Sequence, residues 1–508
     1  MGAFFVKSAA NIGLEASLVT VEVDISPGLP RLTIVGLPDA AINESRERVR
    51  SAIKNSALTF PRTRVTVNLA PGDLKKQGAA FDLPIAIGIL AASGEIRDLD
   101  RLESLMFVAE LSLEGHLRPT NGILLSTLLC KELGLESIIV APENAKEAAL
   151  VQGIKVHPAN NLLELISKLN AGEELDTQDP SEISLAQPQH NTDFNMIRGQ
   201  ESAKRALEIA AAGGHNILLC GSPGAGKTML SRALPSILPD MTFEEALEVT
   251  KIFSVAGLHH ALEALVTARP FRTPHHSSSA IALIGGGTNP KPGEVSLAHH
   301  GVLFLDEFPE FGRHVIENLR QPLEDGLVTI SRSAGTLTFP AQFMLVASMN
   351  PCPCGHKGDP KRSCLCTPAQ LEKYRLKISG PILDRIDLVI DVPRVEYEKL
   401  QIEPTMESSA LIKNRVQSAR NIQNARYRSI HQTTNAQLRN PLTNDCCALD
   451  NDGKLLLRQA AERMNLSVRG YTRVLKVART IADLANSEKI LMEHLAEALQ
   501  YREQKLFN

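Results

Sequence analysis

The 508-residue chain contains no tryptophan and only 5 tyrosines. Binding that relies on stacking many bases against aromatic rings is therefore excluded. An excess of one charge is also missing. Lys and Arg number 54 against 57 Asp and Glu, for a formal net charge of −3. That excludes a uniformly basic coat for nucleic acid, but not a few basic loops facing a polyanion. Eight cysteines are too few for a disulfide framework in a chain of this length. The longest apolar run, Leu83 to Ala92, contains Pro84 and falls short of the ~18 residues that cross a bilayer. The opening MGAFFVKSAANIG is apolar only from Ala3 to Val6, less than the roughly 7–15 residues of a signal peptide. Gly2 is not followed by Ser or Thr at position 6, so the myristoylation pattern is absent. These absences predict a soluble cytoplasmic protein with no membrane association.

What remains is ordinary globular composition, 43% hydrophobic and 22% charged, and a length that suggests about three domains. Residues 1–170 mix strands and helices. Val19 to Ile25 alternates with period two, Pro38 to Ser56 reads as a helix, and Arg64 to Asn68 as a strand. Residues 171–192 are polar and turn-rich, and form the expected linker. Residues 193–394 alternate apolar strands, Gly-rich loops and helices, which predicts an α/β domain. Residues 395–508 are amphipathic and helical. No internal repeat is evident.

The strongest motif follows the apolar run Ile217 to Cys220. Gly221-Ser222-Pro223-Gly224-Ala225-Gly226-Lys227-Thr228 has the spacing of a phosphate-binding loop, between a strand and a helix start. Glycines let backbone N–H groups converge on phosphates, and the helix N-terminus adds partial positive charge. Lys227 is expected on the β- and γ-phosphates of ATP, and Thr228 on Mg²⁺. A second buried strand, Gly301 to Leu305, ends in Asp306-Glu307. A carboxylate there holds Mg²⁺ through water and a second polarises the attacking water. Asp306 is read as the Mg²⁺ residue and Glu307 as the base. A third strand, Phe343 to Ser348, leads to Asn350, whose amide is suited to orient that water; Asn before Pro351 also starts turns.

Four cysteines cluster as Cys352, Cys354, Cys364 and Cys366, two C-x-C pairs around a polar, turn-rich loop. Four thiolates suit tetrahedral Zn²⁺ with no open position, so a structural zinc is expected, with His356 as a substitute ligand. The alternative is four reduced, unligated thiols. Cys130 and Cys220 lie in apolar runs and are expected in the core.

Together these residues resemble an AAA+ ATPase. Arg272-Thr-Pro-His-His276, Pro292-Gly-Glu-Val-Ser-Leu-Ala-His299 and Gly301-Val-Leu-Phe-Leu-Asp-Glu307 resemble the magnesium-chelatase-like branch, and within it the YifB/ComM family of competence-related ATPases. The resemblance runs over nearly the whole chain. It implies an AAA+ α/β core with a helical lid and a homo-oligomeric ring, here a hexamer. It implies an insertion within the second helix, Ser277 to Ala298 with Gly285, Gly286 and Gly287, that faces the ring's pore. Val328 to Phe339 reads independently as a β-hairpin. It resembles a pore hairpin with Arg332 near its tip, a DNA contact unless that residue is merely a solvated hairpin charge.

Leu383-Asp384-Arg385-Ile-Asp387 resembles an arginine-finger segment, which implies that Arg385 serves a neighbouring subunit's ATP. An internal ion pair of Arg385 with Asp384 or Asp387 is the competing reading. Ser467 to Arg473 resembles the lid segment whose arginine touches ATP in cis, with Arg469 preferred and Arg473 the alternative. Residues 1–170 resemble the α+β proteolytic domain of Lon-type proteases. Ala80 stands where the Ser nucleophile would lie, and Leu124 where its Lys partner would, so no peptidase activity is expected. Arg46, Arg48, Arg50, Lys75 and Lys76 are candidate DNA contacts there, against the plainer reading of a solvated helix face.

The resemblance implies an ATP-driven DNA motor: a branch-migration helicase acting on single-stranded and branched DNA in natural transformation, with recombination proteins as partners. A chelatase or protein-remodelling ATPase acting on a partner protein is the alternative. An ATP-dependent protease is argued against by Ala80 and Leu124.

Overall fold

Strict alternation makes the first strands half-buried. Along Glu15–Ser26 the valines at 19, 21 and 23 are fully buried while Leu18, Thr20 and Glu22 on the other face are only partly buried. In the computed structural model, residues 3–180, 192–259, 264–287, 290–332, 335–359, 362–394, 407–428, 434–439 and 442–502 are described. They divide into two compact units, Met1–Leu185 with Ala246–Val266, and Ala186–Glu245 with Thr267–Asn508.

The first unit is built on strands β1 (Phe4–Ile12), β2 (Glu15–Ser26), β3 (Arg31–Val35), β4 (Arg64–Ala70), β5 (Leu105–Val108), a small ribbon β6 (Glu110–Leu111) and β7 (Leu117–Arg118), then β8 (Ser137–Val140) and β9 (Lys155–Pro158). The main sheet runs β3-β4-β2-β1-β5-β8-β9. It is mixed: β1 and β4 are antiparallel to β2, while β3, β5, β8 and β9 pair in parallel. Helix α1 (Ala40–Asn55) starts where the Asp39 carboxylate accepts the Ile42 N–H at 2.9 Å, and it buries Ile42, Val49 and Ile53 on one face. Helix α2 (Asp82–Ala92) is apolar all round and nearly every residue is buried; it packs on β1 and β2. Helix α3 (Ile123–Glu132) follows.

The second unit contains a five-stranded sheet of β10 (Ile217–Cys220), β11 (Phe271–Arg272), β14 (Val302–Leu305), β17 (Met344–Met349) and β18 (Leu388–Asp391). Between these lie two ribbons, β12 (Gly285–Gly286) with β13 (Lys291–Pro292), and β15 (Leu327–Arg332) with β16 (Gly335–Pro340). The sheet order is β11-β14-β17-β10-β18, and every pair is parallel. The buried four-residue runs VLFL and ILLC are what a doubly covered parallel sheet requires. Helices α4 (Glu201–Gly213), α5 (Lys227–Ala233), α6 (Arg320–Asp325), α7 (Ser409–Tyr427) and α8 (Val468–Leu484) surround it.

Val416 and Ala419 of α7 and Val474 and Val477 of α8, in the helical block after residue 395, share one hydrophobic core with Ala206 and Leu207 of α4. The expected linker does not begin at 171. Leu175 is buried and Gln178 N–H donates to the Val156 carbonyl at 2.8 Å, so that stretch belongs to the first unit. Residues 181–191 of the linker lie outside the described residues. Cys130 and Cys220 are core residues, and burial pushes each thiol up to about 12.

Candidate nucleotide site and arginine cleft

Parallel strands bring the ends of several chain segments to one edge of a sheet. The C-terminal ends of β10, β14 and β17 carry Gly221, Asp306 and Asn350 respectively. Gly221 is packed so tightly that a Cβ would lie 2.2 Å from the Val392 carbonyl oxygen. Gly226 has φ +94°, a conformation that a side chain disfavours. α5 begins immediately after it, at Lys227. The Lys227 ammonium folds back over the loop, donating to the carbonyls of Gly221 at 2.6 Å and Ser222 at 3.1 Å and to Asn350 Oδ1 at 3.1 Å. Burial lowers its pKa.

Thr228 Oγ1 donates to Asp306 Oδ2 at 2.8 Å. This hydroxyl–carboxylate pair is the hard-oxygen donor set that suits Mg²⁺ beside phosphates, so the residues fit that ion. Asp306 is further held by the Ser348 hydroxyl and by the Glu307 N–H at 3.0 Å. Glu307 has a left-handed φ of +52°, which turns its side chain away from the strand direction. Its carboxylate lies 3.5 Å from Nδ1 of His276, whose ring meets Phe311 edge-on. Every residue expected at the phosphate loop, with Asp306, Glu307 and Asn350, is thus gathered at one strand edge. Sequence reasoning misses Ser348 and His276: one ends the strand Phe343 to Ser348 and the other the segment Arg272 to His276, but neither spacing specifies a partner.

The arginines lie elsewhere. Asn216, Gly301, Met344 and Asp387, which precede or open β10, β14, β17 and β18, line a cleft of about 860 Å³ together with Arg385, Arg439, Arg469 and Arg473. This is the opposite strand edge from the phosphate loop, separated by a four-residue strand of roughly 13 Å. The expected cis contact of Arg469 or Arg473 with the nucleotide is therefore corrected. Arg469 pairs with Glu324 at 3.4 Å, and Arg473 with Asp387 at 2.7 Å. Arg385 pairs with Glu324 rather than with Asp384 or Asp387, and also donates to the Pro381 carbonyl at 2.7 Å. Burial would raise the Asp387 pKa, but Arg473 and His215 hold it well below the carboxylate range.

The cysteine loop fits a metal. The Sγ atoms of Cys352, Cys354, Cys364 and Cys366 lie within 4.8 Å of one another. Sγ separations of 3.4, 3.6 and 3.7 Å among the first three approach the ~3.8 Å that four 2.3 Å Zn–S bonds impose. His356 faces Asp359 at 3.8 Å instead of completing the set. The loop rests on the nucleotide site: a Cβ on Gly355, at φ +78°, would lie 2.6 Å from Pro223 of the phosphate loop.

The expected pore elements form two ribbons. Gly285 pairs with Pro292 and Gly286 with Lys291, while Gly287 enters the turn. A Cβ on Gly285 would lie 2.6 Å from the Lys291 carbonyl and 3.4 Å from Ile330 Cδ1, so this ribbon packs closely on β15. Arg332 pairs with Gly335 at the end of the second ribbon. In the first unit, two candidate DNA contacts are corrected. Arg48 is bound to Asp82 at 2.8 Å, and Lys76 is fully buried with its ammonium on the Pro71 carbonyl. Leu124 is buried in α3, where its N–H donates to Glu147 at 3.0 Å.

A parallel α/β sheet with a phosphate loop, a strand-end Asp-Glu pair and a packed helical lid defines an AAA+-type domain. The chain belongs to the YifB/ComM family of magnesium-chelatase-like AAA+ ATPases. Family profiles described as "Magnesium chelatase, subunit ChlI", "Subunit ChlI of Mg-chelatase" and "Magnesium chelatase, subunit ChlI C-terminal" match residues 193–400, 21–144 and 406–502. The chain is 46% identical to competence protein ComM of Haemophilus influenzae, with 99% of this chain and 98% of that one covered. It is 44% identical to YifB of Escherichia coli over 99% of this chain and 97% of that protein. The 38 kDa magnesium-chelatase subunit of Rhodobacter capsulatus is 24% identical over 59% of this chain and 84% of its own length. Among the described residues, no helix is long and apolar enough to cross a membrane.

Proposed function

We propose that this protein is an ATP-driven, ring-shaped DNA motor that moves branched DNA during strand integration in natural transformation. The observation that carries the reading is the placement of the phosphate loop and the arginines at opposite edges of one sheet. A head-to-tail ring, a hexamer in this reading, would set Arg385 and Arg469 of one subunit against the phosphates held by the next. The competence name of the Haemophilus influenzae relative supports DNA as the load. So do two close-packed ribbons bearing Lys291 and Arg332.

In this site the loop amides and Lys227 bind the β- and γ-phosphates. Thr228 and Asp306 hold Mg²⁺, which supplies charge neutralisation when bound. Glu307 accepts the proton of the attacking water, Asn350 orients that water, and His276 steadies the Glu307 carboxylate. Arg385 from the neighbour meets the charge that develops on the transferred phosphoryl group. Cys352, Cys354, Cys364 and Cys366 hold a structural zinc that cross-links the loop lying on Pro223. The first unit, a Lon-like domain without the Ser–Lys dyad in this reading, serves binding or assembly and cleaves no peptide.

The family profiles also carry a chelatase name, which favours a motor acting on a partner protein as the second reading. ATP-dependent movement of a four-stranded DNA junction, absent in Lys227→Ala, is the expected result. Failure of the wild-type protein to bind forked or single-stranded DNA with ATP present would transfer the assignment to that second reading.

A further inference from the structure

Glu324 stands in α6, three residues before the ribbon β15–β16 begins. Its carboxylate accepts from Arg385 Nη2, and it pairs with Arg469 Nη2 at 3.4 Å. Its main-chain carbonyl accepts from Arg439 Nη2 at 3.3 Å. One half-exposed carboxylate therefore engages both arginines assigned above to a neighbour's nucleotide. It cannot neutralise two guanidinium groups, so the pair keeps an attraction for a further anion. The Arg385 side chain is only 10% exposed and its Nε is buried without a hydrogen-bond partner. Its engagement is thus incomplete, which suits a group that must change partners.

The ribbon is anchored just beyond Glu324. Gly326, at φ +69°, ends α6, and its carbonyl accepts the Ala341 N–H at 2.8 Å. Only Asp325 and Gly326 separate Glu324 from the first residue of the ribbon, so the chain links the ribbon directly to the helix that carries this carboxylate.

We propose that Glu324 is a positioning residue that acts as a latch. In the resting subunit it withholds Arg385 and Arg469 from the neighbouring nucleotide, and movement of the β15–β16 ribbon under load releases them. The inference rests on the trans assignment of the arginines, and it adds a route by which the load sets the rate of hydrolysis. Triphosphate and carboxylate compete for the same guanidinium groups, so removing the carboxylate charge makes the arginines available without a load.

The test is ATP hydrolysis by the full chain, at saturating and at limiting ATP, with and without forked DNA. Glu324→Gln is expected to raise kcat without DNA by about threefold, the scale of a half-exposed ion pair, with KM little changed and a smaller further gain from DNA. Glu324→Asp, which keeps the charge, is expected to restore low basal hydrolysis. The double variant Glu324→Gln/Arg385→Ala is expected to hydrolyse ATP no faster than Arg385→Ala alone, whereas an effect of Glu324 exerted elsewhere in the protein would still raise that residual rate. Basal kcat that is unchanged or lower in a Glu324→Gln protein of wild-type thermal stability overturns the latch. So does a gain that survives Arg385→Ala. Wild-type hydrolysis insensitive to DNA, with the Glu324→Gln gain present and dependent on Arg385, retains the latch and removes DNA as its load.

Discussion

Replacing Asp387 by Asn isolates one charge in the second unit. The Asp387 carboxylate receives the Asn216 N–H at 3.1 Å and Arg473 Nη1 at 2.7 Å, and lies 3.5 Å from His215 Nδ1. It is buried, so its loss leaves the Arg473 guanidinium with a neutral amide in place of a counter-charge. Breaking a buried pair on one side costs about 3–5 kcal/mol, and retention of an amide oxygen places Asn near the lower end. In a unit of this size that corresponds to a fall in Tm of roughly 5–6 °C. Thermal and urea unfolding followed by circular dichroism measure it.

The pH dependence gives an independent check. The folded pKa of Asp387 is depressed, so its contribution is fully present above the ordinary carboxylate range and fades as pH falls below about 4. Wild type should therefore lose its advantage over Asp387→Asn progressively on acidification. A destabilisation under about 1 kcal/mol at neutral pH, or parallel stability curves for the two proteins from pH 7 to pH 3, would refute the argument.

Two further outcomes follow from the site. Purified protein should carry about one zinc per chain, and Cys354→Ser should lose it. Because Gly355 lies against Pro223, that variant should also bind an ATP analogue more weakly while keeping its far-UV spectrum; unchanged affinity would separate the cysteine loop from the nucleotide site. Arg332→Ala should lower the slope of log affinity for DNA against log salt by about 0.9. It should impair junction movement more than basal hydrolysis, and an equal loss of both would assign Arg332 to the nucleotide site instead.

The nucleotide half of the site was legible because its signals are local. Gly221 to Thr228 is one continuous segment, and Asp306 and Asn350 are marked by the buried strands that precede them. The cysteine set was legible for the same reason. Arg469 was misassigned because its partner depends on which edge of the sheet the lid covers, and no local pattern encodes that. Glu324 had no signal at all: an acidic residue before a turn is common, and only the fold brings Arg385, 61 positions away in the chain, onto its carboxylate. Lys76 misled for a related reason, since a lysine in a polar run reads as exposed until the fold closes over it.

A subunit with its phosphate loop at one edge and its arginines at the other has a direction, like a bar magnet. In the proposed head-to-tail ring each hydrolytic junction would draw one half from each of two chains, and chains dead in different halves would rescue one another. A random equal mixture of Lys227→Ala and Arg385→Ala subunits would hold an intact junction at about one interface in four. In genetic terms, two null alleles of this one gene would complement, whereas two alleles dead in the same half would not.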